Sequence, residues 1–249
     1  MHIETASRTL MKLILLTLFL TLIRGICFAD ETTVKQLIFD AVAQFNVVDD
    51  YTCHLDKRVR KNGMLYEDLD ISVKYKKPKH YYFRWNKGIS KGQEVIFVEG
   101  KYNDKLVAHP GGLLRFFTLH LDPQGTLAMQ KNRHSLQNSG MEKIITLIKT
   151  NYDMATEKDI GVIRITGEGS IDGRMVWIVE GYFPENYGFY AHKISLSFCP
   201  TVKLPLKISI FDRSDRLLEE YVFHNLKINV GLTENDFCPS NHEYSYLGG

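Results

Sequence analysis

The nine histidines are the first residues to test for chemistry, because histidine is the commonest general base and metal ligand. No two of them stand at i and i+4 around a glutamate, and no Cys-x-x-Cys occurs, so the usual zinc spacings are missing. His54, His80, His192 and His224 fall on or beside predicted strands, where a solvated or hydrogen-bonded structural role is the default. We therefore predict a protein that is not an enzyme, with no catalytic residues, metal or cofactor.

A dense apolar cluster is the most distinctive candidate binding feature. Exposed loops rarely carry so many large hydrophobic residues, so we expect this cluster to be buried in the concavity of a sheet or to line a binding cleft there. The segment before it begins at His109, and its glycines either let the chain leave the sheet or act as a hinge for a lid. The predicted hinge is Pro110, Gly111 and Gly112, and the predicted cleft or lid residues are Leu113, Leu114, Phe116, Phe117 and Leu119.

Basic residues gather in residues 57–91, where only Glu67, Asp68 and Asp70 oppose them. Such a cluster is typical of the solvated face of a sheet. The alternative is attraction to anionic lipid headgroups, worth about 1 kcal/mol per basic residue at a membrane surface. The net charge of +2 for the whole chain argues against a nucleic-acid binder.

The amino terminus has the order of a secretory signal: the basic Arg8 and Lys12, an apolar run over 13–23, and small residues ending at Ala29. The run is shorter than the roughly 20 residues of a membrane-spanning helix. We predict cleavage after Ala29, with residues 30–249 as a single exported domain and the periplasm as its location. Two alternatives stay open: acylation of Cys27, and a true start at Met11.

Export permits a disulfide among the three cysteines that remain after cleavage. Cys199 ends a predicted strand, and two further strands return the chain to the same end of the sheet before Cys238. Strand parity therefore predicts a Cys199–Cys238 bridge. A strongly curved sheet would leave Cys53 as a competing partner.

Two helices are expected to position these residues. In each, apolar side chains recur at the spacing of one helix face. Such faces must dock on an apolar surface. The first helix is predicted over 31–49, with an apolar face of Val34, Leu37, Ile38, Ala41, Val42 and Phe45. The second is predicted over about 141–152, with an apolar face of Met141, Ile144, Ile145, Ile148 and Tyr152.

Strands make up most of the remaining chain. Tyr51, Cys53 and Leu55 alternate with polar residues, and Asn62-Gly63 predicts a hairpin turn. About ten strands follow one another through short turns, which favours an antiparallel meander with one covered and one solvated face. The predicted fold is α+β, a single curved antiparallel sheet with helices packed on its concave face.

Three segments resemble the bacterial domain-of-unknown-function family DUF1571: residues 91–100, residues 105–112 and residues 229–237, with Cys199-Pro200 and Leu204-Pro205-Leu206 fitting the same pattern. That family is similar in outline to periplasmic lipoprotein carriers of the LolA/LolB type. The resemblance implies a half-open β-barrel and supplies no catalytic residues.

Two functions follow as expectations. The first is a cell-envelope protein whose apolar concavity binds lipid or the acyl chains of a lipoprotein. The second is an interaction module that contacts a protein or the membrane surface through basic strands 57–91.

Overall fold

The computed structural model describes residues 33–112 and 116–246. The predicted signal segment, with Ala29, Cys27 and Met11, lies outside the described residues, as do Leu113 and Leu114 of the predicted lid. The described residues from Val34 onward belong to one compact unit. No helix in the described part of the chain is long and apolar enough to cross a membrane.

The described residues form three α-helices and eleven strands, joined by turns and loops that include short 3-10 helices. In chain order they are α1 (Val34–Asn46), β1 (Asp50–Lys61), β2 (Met64–Lys76), β3 (His80–Trp85), β4 (Glu94–Val98), β5 (Leu106–His109), β6 (Leu119–Leu121), α2 (Thr126–Met129), α3 (Gly140–Lys158), β7 (Val162–Ile171), β8 (Arg174–Tyr182), β9 (Lys193–Cys199), β10 (Leu204–Phe211) and β11 (Leu217–Ile228).

All eleven strands belong to one antiparallel sheet, which confirms the predicted fold class. The sheet is not closed: its order is β6-β5-β4-β3-β2-β1-β11-β10-β9-β8-β7, so β6 and β7 are its edges. Two meanders, β1–β6 and β7–β11, are therefore joined by a single pairing between β1 and β11. The sequence patterns predicted neither the three-residue strand β6, which begins within the apolar cluster, nor the four-residue helix α2.

Helices α1 and α3 pack on one side of the sheet, which we call the inner face. The predicted apolar faces are confirmed: Leu37, Ile38, Ala41 and Phe45 of α1 are buried in the same core cluster as the α3 residues. That cluster also contains residues of nine strands, β1 to β5 and β8 to β11. Residues of so many strands can share one core with two helices only if the sheet curves around those helices.

A row of three tyrosines lies at the centre of this core. Tyr51, Tyr75 and Tyr81 face one another in register across β1, β2 and β3, with ring centroids 4.8 and 5.0 Å apart. Their hydroxyl groups point to the start of α3: Tyr81 donates to the carbonyl of Ser139, and Tyr51 accepts from the amide of Met141. The hydroxyl groups of Tyr51 and Tyr81 therefore keep hydrogen-bond partners although their rings are buried.

The opposite face, which we call the outer face, is not solvated throughout, and this corrects the sequence-based expectation. On β3, β4 and β5 it carries four buried apolar residues, covered by residues 232–246, which we call the strap. Tyr244 of the strap stacks on Tyr82 with ring centroids 4.1 Å apart. The buried outer-face residues are Tyr82, Ile96, Val98 and Val107, and the strap residues on them include Leu232, Phe237, Tyr244 and Tyr246.

One buried carboxylate fixes the point where the strap leaves the sheet. Asp50, the first residue of β1, is 3% exposed. Its oxygens accept hydrogen bonds from the amides of Val230, Gly231 and Leu232 at 2.6, 3.1 and 2.9 Å. Three amide donors on one carboxyl group satisfy its buried oxygens and turn the chain from β11 onto the outer face.

The predicted Cys199–Cys238 disulfide is absent, since all three cysteines among the described residues are free thiols. Cys199 is buried in the inner core, whereas Cys238 hydrogen-bonds to Ser240 and Tyr102 on the outer side. The parity argument failed because the chain crosses to the outer face after β11. The strap then packs on β3 and β4, at least five strands from β9 in the sheet.

Candidate functional site

A cavity of about 110 Å³ lies between α3 and the inner face of the sheet. Most of its wall is apolar and comes from five strands, with Ile144 and Leu147 of α3 on the opposite side. Such a wall favours a ligand with hydrocarbon surface. The apolar residues contributed by the strands are Leu55, Ile71, Val73, Phe83, Trp85, Ile208, Ile210 and Phe223.

One end of the cavity is polar and is built around Glu219, whose side chain is 1% exposed. Arg133 Nε lies 3.0 Å from its Oε1, and the hydroxyl of Tyr221 donates to its Oε2 at 2.9 Å. Tyr190 also donates to this carboxylate, and His134 Nε2 lies 2.5 Å from the Tyr190 oxygen. The carboxylate is therefore held by an arginine, two tyrosines and a histidine.

These partners control the charge of the buried carboxylate. Burial alone would raise the pKa of Glu219, but hydrogen bonds from His134 and Tyr190 outweigh it and hold the pKa below its ordinary value. Glu219 is thus anionic at neutral pH. Burial, followed by the nearby Glu219 charge, raises the pKa of Tyr190 and of Tyr221, so both hydroxyls remain protonated donors.

Residues 129–134, which we call the latch, close this polar end. Besides the contacts of Arg133 and His134 with the Glu219 cluster, the latch is held by β1: Lys57 donates to the side chain of Asn132 at 2.9 Å. Lys61 donates to the carbonyl of Asn132 at 2.8 Å. The contacts that hold the latch on β1 and on the Glu219 cluster are therefore polar.

The predicted cleft residues do not line this cavity where the structure describes them. Phe116, Phe117 and Leu119 are 63%, 58% and 39% exposed, on the loop before β6 and at its first position. Gly111 of the predicted hinge is tightly packed, since a Cβ there would lie 2.3 Å from the carbonyl oxygen of Lys91. Gly112 has a φ of +67°, as expected where glycine lets the chain leave a sheet, and Pro110 precedes them at the end of β5.

The basic residues of 57–91 are largely engaged within the chain. Lys57, Arg58 and Lys74 form ion pairs with Asp68, with Glu67 and Glu220, and with Asp236 respectively. Lys76 and Lys77 donate to backbone carbonyls of Leu232 and Phe45. The ion pairs on β1 and β2 weaken the attraction of these two strands for an anionic partner, which counts against an interaction module built on the strands themselves.

One sequence pattern has the spacing of a hydrolase nucleophile elbow: Gly88-Ile89-Ser90-Lys91-Gly92. That elbow requires a strand followed by a helix. Here the segment joins β3 to β4 within a hairpin, so it lacks the required context. Among the described residues, no group of three or more His, Cys, Asp or Glu side chains is placed to hold a metal ion.

Sequence reasoning missed the polar end of the cavity. Glu219 stands beside Glu220 and reads as part of a solvated pair. The strand period carried a usable signal, however, because Glu219, Tyr221 and Phe223 share one face of β11. His134 and Tyr190 come from loops that no periodicity places.

Solved structures with a similar fold include the LolA superfamily protein NE2245 of Nitrosomonas europaea. It is 13% identical with a TM-score of 0.33, over 83% of this chain and 98% of that one. Lipoprotein LppX of Mycobacterium tuberculosis is 10% identical with a TM-score of 0.46, over 80% and 98% of the chains. A chain of the Pseudomonas aeruginosa MucA/MucB complex is 16% identical with a TM-score of 0.39, over 80% of this chain and 60% of that one. These identities show likeness of fold alone.

The sequence also matches a family model, described as "Protein of unknown function (DUF1571)", over residues 48–246. A comparison with curated proteins finds no match.

Proposed function

This chain belongs to the DUF1571 family, and from that premise we propose that it is a cell-envelope protein that binds an acyl chain of a lipid or lipoprotein between α3 and the sheet. The cavity between these elements is the observation that carries the proposal. Its apolar wall suits the hydrocarbon of an acyl chain. Its polar end at Glu219 suits the more polar group of the ligand to which that acyl chain is attached.

The size of the cavity sets a condition on binding. At about 110 Å³ it accepts a short alkyl segment, whereas pockets for larger ligands measure about 300–1,000 Å³. A full acyl chain therefore requires α3 to move away from the inner face. The latch is the element that opens for this movement, because polar contacts with Lys57, Lys61 and Glu219 hold it.

A cavity-filling substitution tests the proposal. Leu147 lines the cavity from α3 and is partly exposed, so the larger side chain of Leu147→Trp can occupy the cavity without breaking the core. We expect this variant to bind a fluorescent fatty acid about tenfold more weakly than the unaltered protein, which corresponds to about 1.4 kcal/mol. Fluorescence titration measures the affinity.

The matched control is Thr150→Trp, which adds similar bulk to an exposed position of α3 that does not line the cavity. It should bind the probe as the unaltered protein does. Equal affinities for the Leu147 and Thr150 variants would contradict the proposal. So would native mass spectrometry of the purified protein with neither co-purified lipid nor uptake of added fatty acid.

The proposal includes export, which rests on the signal-like residues 1–29. We expect the mature protein to begin at Asp30, because cleavage follows a small residue after the apolar run. Intact-mass measurement of protein from the periplasmic fraction determines the first residue. A product that starts at an acylated Cys27, or one that keeps residues 1–29, would contradict this part.

A further inference from the structure

Two neighbouring loops expose large apolar side chains at one end of the sheet. Ile89, in the loop between β3 and β4, is 95% exposed. Phe116 and Phe117, in the loop between β5 and β6, are 63% and 58% exposed. We call these three residues the apolar tips. Exposed apolar residues that cluster in this way mark a surface that contacts a partner or a membrane.

The two loops lie side by side. Strands β3 to β6 form an antiparallel meander, so the β3–β4 and β5–β6 connections come at the same end of the sheet. The backbones touch there, because Gly111 packs against Lys91 and Gly92 so closely that it has no room for a side chain.

This end of the sheet is also an end of the cavity. Trp85, the last residue of β3, lines the cavity, and its amide and carbonyl bond to Gln93 and Gly92 of the same loop. The loop that presents Ile89 therefore begins directly at the cavity wall.

Charge next to the apolar tips favours an anionic surface. Lys87 and Lys91 flank Ile89; both are exposed, and the Lys87 side chain is 70% exposed although it pairs with Asp70 at 3.2 Å. Neither residues 86–93 nor the described residues 116–121 contain an aspartate or glutamate. Lysines beside exposed aromatic and aliphatic tips match the headgroup and acyl layers of a membrane with anionic lipids.

We propose that the apolar tips insert into an anionic lipid bilayer, with Lys87 and Lys91 on its headgroups, so that the cavity end near Trp85 faces the membrane. This contact rests on the proposed acyl-chain binding, which it would serve by placing the cavity next to the lipid. Binding at the membrane and binding in the cavity are nevertheless separate properties of separate residues.

Flotation with vesicles tests the proposal, using phosphatidylglycerol mixed with phosphatidylcholine, and phosphatidylcholine alone. We expect the full mature chain to float with the anionic vesicles. The triple variant Ile89→Ser, Phe116→Ser, Phe117→Ser should partition about tenfold more weakly. The control Val47→Ser, Val230→Ser removes apolar residues that are 63% and 45% exposed near Asp50, at the opposite end of the sheet, and should float unchanged.

The variant Lys91→Gln should lose binding to anionic vesicles more than the control does, and added salt should have a smaller effect on it than on the unaltered protein. No flotation of the unaltered protein, or equal losses in the triple variant and the Val47/Val230 control, would overturn the membrane contact. Fatty-acid titration without vesicles should be unchanged by the triple variant and reduced by Leu147→Trp. The two readouts therefore distinguish failure of the membrane contact from failure of acyl-chain binding.

Discussion

Replacement of Asp50 by alanine is expected to lower the free energy of unfolding by about 3 kcal/mol and to release the strap from the outer face. The carboxylate accepts three amide hydrogen bonds from Val230, Gly231 and Leu232. Alanine leaves all three donors without this acceptor, at about 1–3 kcal/mol for each donor that stays buried. The expected loss of stability is smaller than the sum for three buried donors, because Val230 and Gly231 are exposed and water can bond to their amides.

Urea unfolding measures the stability, and limited proteolysis with mass spectrometry shows whether residues 232–246 become cleavable. The neighbouring Asp49→Ala is the matched control: that side chain is exposed, so stability should change by less than about 0.5 kcal/mol. If the Asp50 variant unfolds like the control, or if its strap stays protected from protease, the carboxylate does not anchor the strap.

Glu219→Gln is expected to cost about 2–3 kcal/mol of stability at pH 7. The amide keeps the size of the carboxyl group but loses its charge, and with it the charge-assisted bonds to Arg133, Tyr190 and Tyr221. The group is almost fully buried, so solvent screening does not weaken these bonds as it does at a surface.

The pH dependence follows from the lowered pKa of Glu219. The pKa of this carboxyl group is about 4.5 in the unfolded chain and lies below that in the folded protein. Its contribution to stability is therefore present above about pH 4.5 and is lost as the pH falls through the folded pKa. The difference between the unaltered protein and Glu219→Gln should shrink accordingly in acid.

Urea unfolding at a series of pH values from 7 to 3 measures this difference. Glu157→Gln, at an exposed position of α3, is the control and should change neither the stability nor its pH dependence. A stability difference for Glu219→Gln that is small at pH 7, or that grows toward acid pH, would contradict the assignment of Glu219 as a buried anion.

The regular elements could be predicted from the sequence because each depends on local spacing. The apolar face of α1 and the Asn62-Gly63 hairpin are both where the periodicity places them. The curved antiparallel sheet followed from the same patterns, whereas its open form was expected from the family resemblance. The strap that covers the outer face could not be predicted in this way. It has no regular periodicity, and its contacts, such as that of Tyr244 with Tyr82, join residues far apart in the sequence.

The candidate site was predicted less well than the fold. An apolar concavity was expected, but Phe116 and Phe117 were assigned to it on their hydrophobicity alone, and the structure places both at the surface. The residues that line the polar end come together from β1, β11 and two loops. Only the alternation along β11, which puts Glu219 on the inner face, was available to local reasoning.

The single β1–β11 pairing that joins the two meanders also sets the order in which the chain completes its fold. Tyr51 pairs with Ile228, so β1 lacks one neighbour until residues 217–228 have been synthesised. Contacts of such long sequence separation form slowly. During synthesis the first meander therefore has a free edge at β1 until β11 pairs with it.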